Sequence, residues 1–557
     1  MSNKLQGYEY IAHTLKAYEV SHIFYIEAIL RMAMREAEKQ DVKCIMAHSE
    51  NGAGYMADGL ARATGKPGIV MCQSIGAGNM AGGIYDAYLS NTPLIAISGK
   101  KVPHYQYKNA YQETDHRLLF EGITKFNADI STPEQIPYLL RQAFREATTG
   151  KSKPVHLDIS NQMGRTMEVA TVNEPLYTED AYIKNPAYRP AAERSKIDEA
   201  MAAVKAAKKP VIIAGRGAKV SGAEKEIYDF AVLNDIPIIT TPDGRAIVDE
   251  TDAIWAGNCG LYGMDCANRA SSLSDLVIFI GTQASDQTTN DWSCPTIDTQ
   301  VIQIDIDPAE IGRCYPKTIG LAGDAKTVTA QLIEVSDKTR RPEWRQEVAA
   351  YVKNTIDEYK TFQEMENTPI RPERLCHEIS KVLPDNAVVV ADTGFSAQWT
   401  ITMLRLKATH RYFRAAGSLG WSFPASMGVK LGLPNNPVIC FAGDGAMYYH
   451  LGEMETMARY GIKTITIVNN NQALAQCSGD LKQVHSDNEE RARSHFEFIP
   501  TRFSKIAKSF GLNGVIVEKP EDIGAAIVKA LAEEKSTVID VITDPNANVP
   551  APLVKKD

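Results

Sequence analysis

The sequence of 557 residues lacks the features that mark several large classes of protein. It contains no run of about 18 apolar residues that could span a membrane, and residues 1–7 lack the apolar core of a signal peptide. Its net charge of −8 leaves no basic excess for binding nucleic acid. We therefore expect a cytoplasmic protein with no membrane partner and no nucleic-acid partner.

Metal-binding cysteine motifs are missing as well. The nine cysteines are scattered, no Cys-x-x-Cys pair occurs, and the closest two are Cys259 and Cys266. The eleven histidines are equally dispersed. This distribution argues against a zinc site and fits the reduced thiols of a cytoplasmic protein.

What the sequence does contain is a repeated alternation of helical patterns with short apolar strands. It occurs in three segments, residues 1–172, 193–335 and 365–545. Such alternation is typical of parallel sheets that are covered by helices on both faces. Polar residues 174–192 separate the first two segments, and a charged stretch, 337–372, that we expect to be helical separates the last two. The fold class predicted is α/β, with three doubly wound parallel-sheet domains.

Residues with clear chemistry follow two neighbouring strands of the last segment. Residues 438–443 and 464–468 are apolar and rich in β-branched side chains, with a helical pattern between them, which predicts a βαβ unit. The carboxyl ends of parallel strands meet at one sheet edge, so Asp444 and the asparagines 469–471 should lie close together. Carboxylate, amide and carbonyl oxygens suit Mg²⁺ or Ca²⁺, but here they are too few to enclose the ion alone. A phosphate ligand would complete the shell.

The tripeptide 443–445, Gly-Asp-Gly, also has a simple structural interpretation as a turn at the end of a strand. As a binding element, its glycines would let a ligand approach the backbone, and the following helix N-terminus would favour negative charge. The asparagines at the end of the neighbouring strand favour the binding site over the turn.

The tripeptide 443–445, followed by Asn470 and Asn471, resembles the diphosphate and metal motif of thiamine-diphosphate enzymes. Within that family the sequence is most similar to the acetolactate synthase and benzoylformate decarboxylase group. The resemblance implies that Asp444, Asn471 and the carbonyl of Ala473 hold Mg²⁺, which bridges to the cofactor's diphosphate. It also implies that the three domains are a pyrimidine-binding, a central and a diphosphate-binding domain, in that order.

Glu50 is the residue that the resemblance places at the catalytic centre of the first domain. It follows a predicted strand and begins residues 50–62, which are similar to the family's glutamate-bearing helix. In that family the glutamate hydrogen-bonds N1′ of the cofactor's aminopyrimidine, and the 4′-amino group then deprotonates C2 of the thiazolium ring. Without the resemblance, an acidic residue in the first turn of a helix is simply favoured by the helix dipole.

The resemblance implies further positions for cofactor and substrate. Gln112 corresponds to a glutamine that faces the substrate in acetolactate synthases, and Leu419 to an apolar residue that bends the cofactor. The catalytic residues implied are Glu50 and Gln112. The cofactor-binding residues implied are Glu50, Gly76, Asn79, Gly394, Phe395, Ser396, Ser418, Leu419, Gly443, Asp444, Gly445, Ala446, Asn471, Ala473 and Leu474. The substrate pocket implied consists of Glu27, Ala28, Cys72, Gln112, Gln476 and Cys477.

The central segment carries weak signs of a dinucleotide site. Acetolactate synthases use arginines of their central domain to help bind FAD, and Gln283 and Gln287 stand at those places here. An amide cannot replace the charged, fork-shaped guanidinium as a phosphate partner. Gly215–Ala218 holds only the Gly-x-Gly part of a dinucleotide fingerprint. The sequence therefore argues against a bound flavin.

The function implied is that of a thiamine-diphosphate- and Mg²⁺-dependent carboligase. It would decarboxylate a 2-oxo acid such as pyruvate and join the remaining fragment to a second carbonyl compound, which is another small 2-oxo acid or ketone. Benzoylformate decarboxylase has a catalytic histidine where this sequence has Cys72, and the absence of that histidine, together with Gln112, favours carboligation. A decarboxylase or C–C lyase stays open because water or His104 could supply the proton.

Two further expectations follow from the resemblance. A protein of the same fold that binds a ligand without catalysis is the alternative from another class, and the presence of Glu50 argues against it. The family builds each site between two subunits, because the two ends of one cofactor are held by different domains. We therefore expect a homodimer at minimum, and a dimer of dimers as the full assembly.

Overall fold

The computed structural model describes residues 4–26, 29–162 and 165–550. Three six-stranded sheets follow one another along these residues, and every strand pair within them is parallel. Helices cover both faces of each sheet, which confirms the predicted α/β class with three doubly wound domains. Within the described ranges, no helix combines the length and the apolarity needed to cross a bilayer.

The first domain has the strand order β3-β2-β4-β5-β7-β6, and β1 and β8 form a separate antiparallel pair. Its elements are β1 Leu5–Gln6, α1 Gly7–Ala17, β2 His22–Tyr25, α2 Arg31–Glu38, β3 Lys43–Met46, α3 Glu50–Thr64, β4 Gly68–Gln73, α4 Gly76–Leu89, β5 Leu94–Lys101, α5 His116–Phe120, β6 Phe126–Ile130, α6 Gln135–Thr148, β7 Pro154–Gln162, α7 Thr166–Val169 and β8 Thr171–Val172.

The central domain has the strand order β11-β10-β9-β12-β13-β14. Its elements are α8 Arg194–Ala206, β9 Pro210–Ala214, α9 Arg216–Ser221, α10 Glu224–Asn234, β10 Ile238–Thr240, β11 Trp255–Asn258, α11 Asp265–Ser272, β12 Leu276–Ile280, α12 Asp286–Thr289, β13 Gln300–Asp305, β14 Thr318–Ala322 and α13 Ala325–Glu334. The helix expected in the second linker is α14, Pro342–Gln363.

The third domain has the strand order β16-β15-β17-β18-β20-β19. Its elements are α15 Pro372–Val382, β15 Val388–Ala391, α16 Phe395–Met403, β16 Arg411–Arg414, α17 Ser422–Gly432, β17 Val438–Gly443, α18 Asp444–Tyr448, α19 Glu453–Arg459, β18 Ile465–Asn470, α20 Ser478–Val484, α21 Glu489–Ser494, α22 Phe503–Ser509, β19 Asn513–Val517, α23 Asp522–Ala532 and β20 Thr537–Ile542.

Helices α3 and α17 join the first and third domains by direct contact of their backbones. A Cβ atom on Gly59 would lie 2.1 Å from the carbonyl oxygen of Ala425, and one on Gly428 would lie 1.8 Å from that of Met56. Both distances are shorter than any real contact, so only glycine allows this approach. The glycines in the helix that begins with Glu50 therefore serve the packing of two domains.

A buried ionic cluster reinforces the same contact. Arg62 donates to Asp58 at 2.6 Å and to Asp86 at 2.7 Å, and the indole N–H of Trp421 donates to Asp58 at 2.8 Å. Asp86 also accepts from the backbone N–H groups of residues 416–418. Burial opposes ionisation of Asp86, but the Arg62 charge and these donors outweigh it and lower its pKa. First-domain carboxylates thus fix the loop that follows β16.

Candidate active site

Glu50 begins α3 just after β3 and lies against the first turn of α4. Its Oε2 accepts from the side-chain amide of Asn79 at 3.0 Å. A Cβ atom on Gly76 would lie 2.5 Å from Oε1 of Glu50, so the lack of a side chain there makes room for the carboxylate. The hydroxyl of Ser49 caps α3 by accepting from the N–H of Gly52 at 3.1 Å. The structure thus brings together Glu50, Gly76 and Asn79.

Asp444, Asn471 and Ala473, which we call the Asp444 cluster, meet at the carboxyl ends of β17 and β18. The carboxylate of Asp444 accepts from the N–H of Gly445 at 2.7 Å and from the N–H of Ala473 at 3.1 Å. The same N–H of Ala473 points to Oδ1 of Asn471, also at 3.1 Å. Asp444 is 3% exposed, and burial raises its pKa to about 7.

The three neighbouring asparagines have different surroundings. Asn469 pairs in register with Gly443, and its buried Oδ1 has no hydrogen-bond partner within the described residues. Asn470 donates to the carbonyl of Thr501 at 2.9 Å and to Asp540 at 2.8 Å, so it holds the fold together. A buried carboxylate beside amide and carbonyl oxygens is a donor set of the kind that Mg²⁺ binds. The residues at this edge therefore fit the metal that the resemblance implies.

Glycines allow close packing of the loops around the Asp444 cluster. Gly394 precedes α16 with φ of +65°, a backbone conformation that favours glycine. A Cβ atom on Gly443 would lie 3.2 Å from Oγ of Ser396, and one on Gly445 would lie 2.6 Å from the side chain of Leu474. The loops after β15, β17 and β18 therefore converge at one sheet edge, where α/β folds bind ligands.

The loop after β16 brings Leu419 to the same edge. Asp392, fully buried at the end of β15, accepts from the N–H groups of Gly420 at 3.0 Å and Ser422 at 2.8 Å. The side chain of Leu419 is partly buried against the core, and the N–H of the preceding Ser418 is held by the first domain. The other predicted cofactor residues of this domain, Phe395 and Ala446, lie in the first turns of α16 and α18.

Gln112 lies in the loop between β5 and α5 and is held by the end of β4. Its φ of +61° is uncommon for a residue with a side chain. The amide of Gln73 donates to Oε1 of Gln112 at 3.0 Å, and the hydroxyl of Ser74 donates to the backbone carbonyl of Gln112. We did not predict a role for Gln73 or the Ser74 hydroxyl, although both residues directly follow a predicted strand. Strained residues that are held in this way cluster at functional sites.

The remaining predicted pocket residues lie in varied surroundings. Glu27 and Ala28 lie outside the described residues. Cys72 is fully buried in β4, and burial, then the charges of Glu50 and Asp158, raise its pKa well above the ordinary value. The amide of Gln476 donates to the hydroxyl of Tyr262 in the central domain at 3.2 Å, and Cys477 next to it is exposed.

Comparison with known families agrees with this geometry. Residues 5–119 match the family described as "Thiamine pyrophosphate enzyme, N-terminal TPP binding domain", and residues 392–541 match the "C-terminal TPP binding domain". Residues 197–332 match the "Thiamine pyrophosphate enzyme, central domain". The chain belongs to the thiamine pyrophosphate enzymes. In this thiamine pyrophosphate enzyme, the N-terminal match carries Glu50 and the C-terminal match carries Asp444.

Curated relatives of this thiamine pyrophosphate enzyme match it along nearly its whole length. It is 29% identical to the "Probable acetolactate synthase large subunit" of Methanocaldococcus jannaschii, over 98% of the chain and 93% of that protein. It is 28% identical to the "Acetolactate synthase large subunit" of Haemophilus influenzae, over 98% and 96%. The protein of the same name from Corynebacterium glutamicum is 29% identical, over 98% and 88%.

Proposed function

We propose that the chain is a Mg²⁺-dependent carboligase of the acetolactate synthase kind. It decarboxylates a 2-oxo acid such as pyruvate and joins the remaining fragment to a second carbonyl compound. The observation that carries this proposal is the similarity to acetolactate synthases along 98% of the chain. The clusters around Glu50 and Asp444 support it, because each domain that matches a cofactor-binding family presents polar groups suited to one end of the cofactor.

The protein's own part in this reaction is to hold the cofactor and to move one proton. When bound, thiamine diphosphate supplies a carbon nucleophile that adds to the carbonyl of the 2-oxo acid. Glu50 holds or releases a proton at N1′ of the aminopyrimidine, and Asn79 fixes its carboxylate. Asp444, Asn471 and the carbonyl of Ala473 would hold Mg²⁺, which would neutralise the charge of the diphosphate.

The surroundings of Gln112 and Cys72 support carboligation over simple decarboxylation. The side chain of Gln112 is held by Gln73, so it can offer a fixed polar group to the second carbonyl compound. Simple decarboxylation needs a proton donor near the reacting carbon. The thiol of Cys72 stays neutral and buried because its pKa is raised, which makes it a poor proton donor.

A product assay tests this proposal. The protein is incubated with pyruvate, thiamine diphosphate and Mg²⁺, and both carbon dioxide and acetolactate are measured, followed by a panel of other 2-oxo acids. We expect one acetolactate for each carbon dioxide released. Carbon dioxide with acetaldehyde and no acetolactate would indicate a decarboxylase. Cofactor binding without turnover of any 2-oxo acid would indicate the non-catalytic alternative.

We also propose that the active site is shared between two copies of the chain in a homodimer, which pairs into a tetramer. An exposed stripe of apolar and small residues runs along α4, beginning beside Asn79 and the Glu50 carboxylate. The stripe consists of Ile75, Gly78, Gly82, Tyr85 and Leu89. Exposed apolar stripes of this kind mark contact surfaces. Because the stripe begins beside Asn79 and Glu50, a second copy docked on it would lie next to the Glu50 carboxylate.

We propose, further, that the enzyme works without a flavin. A cavity of about 370 Å³ lies at the carboxyl edge of the central sheet, and Gln283 and Gln287 line it. The amide oxygen of Gln287 accepts from Arg414 at 2.9 Å, so it is already engaged. Asp305 lines the same cavity, and a carboxylate there repels a dinucleotide's phosphates. Arg216, within the Gly215–Ala218 segment, also lines the cavity and is a cation there.

Absorbance of the purified protein tests the flavin proposal. We expect no band near 450 nm, and carboligation that does not change when FAD is added to protein that has been gel-filtered in high salt. A stoichiometric flavin band, or activity that depends on FAD, would contradict the proposal and would identify Arg216 and Arg414 as candidate phosphate partners.

We place the enzyme in the cytoplasm. All nine cysteines lie within the described residues, and none of them forms a disulfide. This supports a reducing compartment.

A further inference from the structure

We propose that Glu453 is a positioning residue for Glu50, through which the diphosphate-binding domain builds the first turn of the Glu50 helix. This inference rests on the proposed function, because it gives Glu50 the proton-transfer role. Glu453 begins α19, and it is 1% exposed at the contact of the first and third domains.

The carboxylate of Glu453 binds the two residues that precede Glu50. The backbone N–H of His48 donates to its two oxygens at 3.0 and 3.2 Å, and the N–H of Ser49 donates to Oε1 at 3.1 Å. The hydroxyl of Ser49 lies 3.3 Å from the same Oε1, and that of Thr456 donates to Oε2 at 2.8 Å. Hydrogen bonds to a carboxylate are stronger than those between neutral groups. The segment between β3 and α3 is therefore fixed by a charge that lies about 400 residues away in the sequence.

The start of α3 is shaped to admit this carboxylate. A Cβ atom on Gly52 would lie 2.6 Å from Oε1 of Glu453, so a side chain at position 52 would push the carboxylate away. Ser49 is both the N-cap of α3 and a partner of Glu453, and Nδ1 of His450 lies 3.4 Å from its hydroxyl. The capping of α3 and the docking of the third domain thus depend on the same atoms.

The position of Glu50 depends on this arrangement because Glu50 directly follows Ser49, whose backbone N–H donates to Glu453. Asn79 fixes one carboxylate oxygen of Glu50, but the direction of its side chain follows from the backbone of the first helical turn. A shift of about 1 Å in a catalytic group can lower a rate by about 100-fold. Losing the Glu453 charge should therefore affect proton transfer at the cofactor more than cofactor binding, since the Asp444 cluster holds the diphosphate.

Glu455 is a matched control on the same helix. Its side chain is 40% exposed, and it contacts the same segment through the imidazole of His48, at 2.7 Å, instead of through the backbone. Glu455→Gln removes one negative charge from the same domain contact and leaves the backbone N–H groups of His48 and Ser49 with their partner. If Glu453 only helped to hold the two domains together, Glu455 would share part of that role and its variant would show a similar defect. If Glu453 places Glu50, the Glu455 variant should not show the defect.

The experiment compares wild type, Glu453→Gln and Glu455→Gln, each loaded with thiamine diphosphate and Mg²⁺. Four quantities are measured: the cofactor Kd by fluorescence titration, the melting temperature, kcat with pyruvate, and the rate of hydrogen–deuterium exchange at C2 of the bound cofactor by NMR after an acid quench. For Glu453→Gln we expect C2 exchange and kcat to fall by about 10- to 100-fold, with the Kd within about 3-fold of wild type. For Glu455→Gln we expect the Kd and the C2 exchange rate to stay within about 2-fold of wild type and the melting temperature to stay unchanged.

A second variant keeps the test decisive if Glu453→Gln fails to fold. Thr456→Val keeps the Glu453 carboxylate but removes the hydroxyl that orients it, and we expect C2 exchange to fall by about 3- to 10-fold with an unchanged Kd. Wild-type exchange rates in Glu453→Gln or in Thr456→Val, or an equal fall in Glu455→Gln, would overturn the inference and leave the proposed function standing. Absence of C2 exchange in wild type would overturn the proposed function and this inference with it.

Discussion

Replacing Glu50 with glutamine should lower the turnover of pyruvate by about 1,000-fold, within the range usual for loss of a general acid–base group. The substitution keeps the size of the side chain, and the amide oxygen of Gln can still accept from Asn79. It removes the carboxylate that we propose to exchange a proton with N1′ of the aminopyrimidine. The Asp444 cluster lies in another domain, so we expect Mg²⁺-dependent binding of the cofactor to persist.

Steady-state kinetics with pyruvate and fluorescence titration with thiamine diphosphate check both halves of this prediction. Glu38→Gln is the control, because Glu38 is an exposed carboxylate at the end of α2 in the same domain. Glu50→Gln with near-wild-type turnover would remove Glu50 from the mechanism. A variant that had lost cofactor binding as well would indicate that Glu50 holds the cofactor instead of activating it.

Asp444→Asn should weaken Mg²⁺-dependent binding of thiamine diphosphate by at least about 100-fold, because it removes the only carboxylate of the cluster. Residues that only orient a metal ligand typically change the metal affinity by 10- to 100-fold when they are mutated. Asp444 is proposed to be a ligand itself, so its loss should have at least that effect. Titration of the cofactor at fixed Mg²⁺ measures the effect. Asp522→Asn, an exposed residue at the start of α23, should bind as wild type does. Wild-type affinity in Asp444→Asn would place the metal elsewhere.

The same substitution should have the opposite effect on the stability of the cofactor-free protein. The pKa of Asp444 is raised by burial to about 7, above the value near 4 of an unfolded aspartate. Such a group favours the folded state below pH 4, and this contribution is lost as the pH rises through 7. A rise in pKa from about 4 to about 7 corresponds to about 4 kcal/mol, so at pH 8 without metal we expect Asp444→Asn to be more stable than wild type by up to about 4 kcal/mol. Chemical denaturation at pH 5 and pH 8 tests this, and a difference that does not grow with pH would contradict it.

Much of the third domain could be predicted from the sequence because its signals are local. A segment of about 40 residues contains the apolar runs that form β17 and β18 and the helical pattern between them. The helix expected between them, about residues 451–459, corresponds to α19, Glu453–Arg459, and the structure adds a second short helix, α18, before it. Two strands of the central sheet, β11 and β14, were missed. Both lie at its edges, and Trp255–Asn258 contains only one bulky apolar residue.

The candidate site also contains some residues that the sequence could predict and others that it could not. Asp444 and Asn471 follow adjacent strands of one βαβ unit, so their proximity follows from the topology. Gln73, Asp86 and Glu453 could not be singled out, because the partners that give each of them a role are distant in the chain. Asp86 holds a loop about 330 residues away, and Glu453 holds one about 400 residues away. Contacts of this kind are made by the packing of domains, which leaves no periodic signal in the sequence.

Complementation between two inactive variants tests the central claim most directly, namely that Glu50 of one copy and Asp444 of another act on the same cofactor. Glu50→Gln and Asp444→Asn chains are co-expressed with different tags, or mixed and allowed to exchange subunits, and turnover of pyruvate is measured. In a mixed dimer with shared sites, one site carries both substitutions and the other carries neither, so a 1:1 mixture should recover about 25% of wild-type activity. If each chain formed its own complete site, every site in the mixture would carry one substitution. Activity no higher than that of the separate variants, in samples shown to contain mixed dimers, would contradict the account.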